Sequence, residues 1–94
     1  MAQFTIRVEL HGAEWDDYEQ LASALAQKNI TDVLTDDQGV KYKMPPAEYQ
    51  YQGNCTAAEL REICVAAAKT TGKAHAILVT KSAGRAWVGL KWAE

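Results

Sequence analysis

Hydrophobic and polar positions alternate without a break from Phe4 to His11. Phe4, Ile6, Val8 and Leu10 fall on one side, and Thr5, Arg7, Glu9 and His11 fall on the other. Successive side chains leave a strand on opposite faces, so the pattern predicts a strand over Phe4–Gly12 with one buried and one open face. After Gly12 the period changes. Trp15, Tyr18, Leu21, Ala22 and Leu25 recur at three and four, which predicts a helix over Glu14–Lys28 with those residues on its buried face. Asp16, Asp17 and Glu19 suit the positive end of its dipole, and Lys28-Asn29 suits its stop.

Ile30–Thr35 reads as a short second strand, and Asp36–Gly39 as a turn in which glycine supplies a positive φ. Alternation returns over Val40–Met44, is interrupted by Pro45-Pro46, and resumes over Ala47–Gly53. Proline donates no ladder hydrogen bond, so this is expected to be one strand broken by a bulge. Its first half should pair with strand two and its second half with strand one, with Tyr49 and Tyr51 toward the core. Thr56-Ala57-Ala58-Glu59 has the form of a capping box, with Cys55 and Leu60 placed as a hydrophobic staple. Leu60, Ile63, Cys64 and Ala67 form the buried stripe of that second helix, and Gly72 ends it.

Ala74–Lys81 is apolar enough to read as an interior strand. Ser82-Ala83-Gly84 turns the chain into Arg85–Trp92, which reads as one further strand. Its two tryptophans and Leu90 should close the core or make an interface. The order is β-α-β-β-α-β with an extra C-terminal strand. It predicts one α+β domain over 1–94, a ferredoxin-like antiparallel sheet with strand one central and both helices on one face.

Composition narrows the classes. Ninety-four residues suffice for a single domain, and no apolar run approaches the roughly 20 residues of a membrane span. The start lacks a basic segment followed by an apolar one, so no signal peptide is expected and the location expected is cytoplasmic. Cys55 and Cys64 have no CxxC spacing and are expected as free thiols, Cys64 as a small core residue. The net charge of −2 hides an asymmetry. Residues 1–40 hold two basic and eight acidic side chains, whereas residues 41–94 hold eight basic and four acidic. Such polarity suits a polyanion footprint or an electrostatically steered partner.

No P-loop, GxGxxG, zinc spacing or HExxH occurs, and no cofactor or metal is expected. An RNA-recognition motif would need aromatics on the open face of strand one, where Arg7, Glu9 and His11 stand instead. Those three types could supply the base, acid and cation of a metal-independent ribonuclease, and equally could be a solvated sheet face. Lys41, Lys43, Lys81, Arg85 and Lys91 are candidates for a phosphate-contacting surface, the plain alternative being scattered solubilising charges.

The strand-one pattern around Phe4–Glu9, the Asn29–Leu34 passage, the Asp36–Gly39 turn and the Thr56–Leu60 helix opening together resemble the GhoS-type antitoxin family. The resemblance implies a small ferredoxin-like endoribonuclease antitoxin that acts on the messenger of a toxin, and extends to phage and prophage proteins. It implies an acidic residue late in strand one, matched here by Glu9. It departs in the first helix, where the family's arginines have no counterpart in Leu21–Leu25. The expected partner is therefore RNA. The alternative is a basic protein, bound by a phage-encoded, non-enzymatic inhibitor of a bacterial defence system through the acidic stretch Glu14–Asp37. A homodimer through the open sheet face or the C-terminal strand is also expected, and no membrane association.

Overall fold

The alternating N-terminal segment forms β1 (Ala2–Leu10), and its four apolar residues are the centre of the core. It is followed by α1 (Trp15–Ala26), β2 (Val33–Thr35), β3 (Lys41–Lys43), β4 (Glu48–Gly53), α2 (Ala57–Lys69) and β5 (His75–Lys81). The computed structural model describes residues 1–93. The protein is α+β, with antiparallel strands arranged as a three-stranded sheet β4-β1-β5 and a two-stranded hairpin β2-β3.

β1 is central, as its pattern predicts. Ile6 stands opposite Tyr49 on one side and Val79 on the other, so the apolar residues of all three strands share one face. Leu21 and Leu25 of α1, with Leu60 and Cys64 of α2, cover that face. Phe4, Ile6, Val8, Leu21, Leu25, Leu60 and Cys64 are wholly buried. Removing each large aliphatic or aromatic side chain from water is worth roughly 1.5–3 kcal/mol. Tyr49 is buried and Tyr51 packs on Phe4 with ring centroids 6.3 Å apart, so both tyrosines face the core as expected.

Local signals set the element ends. The Thr56 hydroxyl accepts from the Glu59 amide at 3.1 Å, and the Glu59 carboxylate accepts from the Thr56 amide at 2.8 Å. At α1, the Asp17 carboxylate accepts from the Glu14 amide, and Asn29 takes a φ of 62° just beyond the helix end. The pairings expected on either side of Pro45-Pro46 form, but in two strands of two separate sheets rather than in one strand with a bulge. β3 pairs with β2, the chain turns through Pro45-Pro46-Ala47, and β4 pairs with β1. Thr31 then bridges to Gln50, which sets the entry to β2 beside β4.

Four further expectations are corrected. Arg85–Trp92 is not a strand: its only ladder contact among the described residues is a single bridge between Trp92 and Tyr42. Gly89 sits at φ 79°, in the left-handed region, and breaks the extended run. β5 is an edge strand rather than an interior one, and Leu78 on its outer face is 65% exposed. Trp15 is exposed, not on the buried stripe. The Tyr18 hydroxyl accepts from the amide of Leu10, the last residue of β1, so Tyr18 meets the sheet and Trp15, one turn earlier, stands in water. His11 likewise lies in the turn after β1, not in the strand.

Candidate nucleic-acid interface

The face of β1 away from the helices presents Gln3, Thr5, Arg7 and Glu9, with Gln52, Gln50 and Glu48 on β4 and Ala76, Leu78 and Thr80 on β5. The proposed catalytic row lies here but does not act as one group. Arg7 turns to Glu48 on the neighbouring strand at 3.6 Å, and His11 meets Glu9 at 3.5 Å. Arg7, Glu9 and His11 are each more than half exposed. An exposed ion pair such as Arg7–Glu48 is worth about 0–1 kcal/mol. Within the row, Arg7 and His11 turn to different carboxylates, those of Glu48 and Glu9.

The segment after β5 decides the shape of this face. It leaves the β5 edge and crosses the sheet to the hairpin. Arg85 lies flat against the open face: its Nε donates to the Thr5 hydroxyl at 3.0 Å, and its two terminal nitrogens donate to the Gln3 side chain at 3.3 Å and the Phe4 carbonyl at 2.6 Å. Burial lowers its pKa, yet guanidinium remains charged in any accessible range. Arg85 is thus a structural anchor of the segment, and not one of the free cations that the sequence groups with the lysines. Beyond it the segment arches over a concavity of about 510 Å³ walled by Thr5, Glu48, Met44, Arg85, Trp87 and Leu90.

At its far end the segment meets β3. The Lys43 amide donates to the Lys91 carbonyl at 2.8 Å, and the Ala93 amide donates to the Lys41 carbonyl at 3.0 Å. This register places Lys91 beside Lys43, with Lys41 two positions along on the same face, and all three are exposed. Like charges opposite one another destabilise a ladder. Asp32 offsets one of them, its carboxylate 2.6 Å from the Lys43 ammonium. Lys41 reaches the Thr35 hydroxyl at 3.4 Å. Lys81 stays outside the cluster, at the end of the β5 edge, in register with Phe4.

Aromatic groups collect on the opposite face of the same ladder. Tyr42 and Trp87 meet edge to face with centroids 5.8 Å apart, and Trp92 pairs with Tyr42 across the bridge while remaining 76% exposed. Sequence patterning missed this grouping. The available signal was the pair Gly84 and Gly89, which lets the tail leave an extended path and fold back on the hairpin.

The Cys64 thiol offers no chemistry. Cys64 is enclosed by the core, and burial, with Cys55 nearby, pushes its pKa up to about 11. It stays protonated and unreactive at neutral pH. Among the described residues no three His, Cys, Asp or Glu side chains gather as a metal site, and no helix is long and apolar enough to cross a membrane. No protein-family model matches the chain, and no curated protein matches it.

Proposed function

We propose that this protein binds RNA as an antitoxin-like domain of GhoS type, holding the phosphate backbone on Lys41, Lys43 and Lys91. One observation carries the reading: two distant parts of the chain bring three exposed lysines into adjacent register. Asp32 offsets Lys43 within the folded chain, and the remaining positive charge of Lys41 and Lys91 suits a polyanion that binds and releases its counterions. The strand order supports the accompanying ferredoxin-like reading, since β5-β1-β4 is extended toward β2 by the Thr31–Gln50 bridge. Cleavage would fall to Arg7, Glu9 and His11. Their separate pairing makes binding the primary activity in this reading.

The test is titration of a labelled transcript pool at several salt concentrations. Wild type should bind with a steep salt dependence. Replacing all three lysines with alanine should lower the slope of log affinity against log salt by about two, at about 0.7 per phosphate contact on a single strand. A folded wild type that binds no transcript at low salt overturns the proposal. In parallel, Arg7→Ala, Glu9→Ala and His11→Ala are assayed for cleavage, and cleavage unaffected by all three removes the row from the mechanism.

Trp15 favours a second reading. It is 75% exposed and stands among Glu14, Asp16 and Glu19, an indole with an acidic surround. Such a patch suits a basic protein surface, as an inhibitor of a defence system would need. Trp15→Ala should abolish capture of that partner in nuclease-treated lysate, and retention of the same partner by the variant would dismiss the reading.

A further inference from the structure

We infer that Trp92 is a base-stacking platform and that the RNA held by the lysine cluster is single-stranded, an inference that rests on the RNA-binding reading above. The backbone of Trp92 is fixed on both sides, by the Lys43–Lys91 and Ala93–Lys41 hydrogen bonds. Those two bonds flank Tyr42 and Trp92 as a non-hydrogen-bonded antiparallel pair, the arrangement in which facing side chains come closest. Tyr42 is nevertheless occupied by Trp87, whose ring meets it at 61°. Of the three aromatic groups gathered here, two satisfy each other, and the indole of Trp92 presents its surface to water.

The segment bearing Trp92 is hydrogen-bonded to β3, and β3 is bonded to β2 on its other side. The tail is therefore the outer member of this small ladder. Alternation puts Lys41, Lys43 and Lys91 on one face of it and Tyr42 and Trp92 on the other, and on the outer strand Lys91 and Trp92 are chain neighbours on either side of the free edge. A single strand that passes over that edge sets a phosphate against Lys91 on one face and turns an unpaired base onto the indole on the other. Every base has a π-face, so this recognition tolerates sequence. A duplex reaches the lysines equally well but keeps its bases stacked inside, leaving the indole unused.

The experiment compares an unstructured, adenine-rich twelve-nucleotide RNA with a twelve-base-pair RNA duplex, by fluorescence anisotropy at fixed salt. The proteins are wild type, Trp92→Ala, Trp92→Phe and the triple lysine variant, each checked for folding by circular dichroism. Trp92→Ala should weaken single-strand binding about tenfold, leave duplex binding and the salt slope unchanged, and be largely rescued by phenylalanine. Trp92→Ala that binds the single strand like wild type, while the lysine variant weakens both RNAs, overturns the stacking role and leaves the lysine interface standing. Loss of self-association in Trp92→Ala by sedimentation, with RNA affinity unchanged, assigns the indole to a protomer interface and also overturns it. Failure of wild type to bind either RNA removes the interface itself.

Discussion

Ala47 holds a φ of 66°, a region that costs an L-residue with a Cβ about 1–2 kcal/mol. It stays there because its carbonyl accepts the Val8 amide at 3.0 Å, directly after two prolines that cannot join the ladder. Ala47→Gly should stabilise the protein by about 0.5 kcal/mol in denaturant unfolding, the relief of strain being partly offset by glycine's greater unfolded-chain entropy. Destabilisation by that change would show that the methyl group packs rather than strains. Two buried protons also act at this scale. Burial, with Asp32 and Tyr18 adding charge, raises Tyr49 from 10.0 to about 12, and Cys64 rises from 9.0 to about 11. Both groups keep their protons longer in the folded state than in the unfolded one. Their stability contribution is complete below pH 9.0, and is lost as pH rises from there to about 12. Melting temperature measured from pH 8 upward should decline over that window, and Cys64→Ala should remove the part of the decline that begins first. The place of Cys64 in the core is legible from its helical spacing. The strained Ala47 is not, because nothing in Pro-Pro-Ala marks a positive φ.

At the scale of elements, the legible parts are those whose contacts are local. The α2 capping box joins residues three apart, and both of its bonds form. Thr56→Ala should cost about 1 kcal/mol in unfolding free energy, with Thr56→Ser close to wild type. Equal loss in both variants would deny the cap. β1 is equally legible, since one unbroken alternation sets its buried face. β5 shows the opposite. Its apolar composition reads as interior, yet position within a sheet depends on which strands flank it, and β1 alone does. Arg85–Trp92 fails for a related reason. Alternation is present in its residues, but Arg85 finds acceptors on β1, Trp87 finds Tyr42, and Gly89 bends the path between them.

For the molecule as a whole, that C-terminal segment is the deciding feature. It covers one end of the open sheet face, anchors Arg85 there and delivers Lys91 and Trp92 to the hairpin. Hydrogen bonds to charged groups are worth about 1.5–3 kcal/mol each, so the three made by Arg85 dominate the docking of its first half. Arg85→Met should speed amide exchange over residues 84–91 at least tenfold while leaving β1 amides slow. Uniform acceleration across the core would instead make the segment part of the global folding unit. The same variant should weaken RNA binding through the displaced Lys91, although Arg85 contacts no ligand in this scheme.

The amino-acid sequence by itself determined β1 and its buried face, both helices, the α2 cap and the interruption at Pro45-Pro46. Each follows from side-chain period or from hydrogen bonds within a few residues. It also named the lysines of the candidate interface. Only the tertiary structure decided that Lys41, Lys43 and Lys91 stand together while Lys81 and Arg85 do not, and that Arg7 and His11 turn to different carboxylates. Those outcomes depend on where the tail returns and on which strand lies beside β1. Such long-range pairings satisfy buried and charged groups across the chain, and leave no period in the sequence.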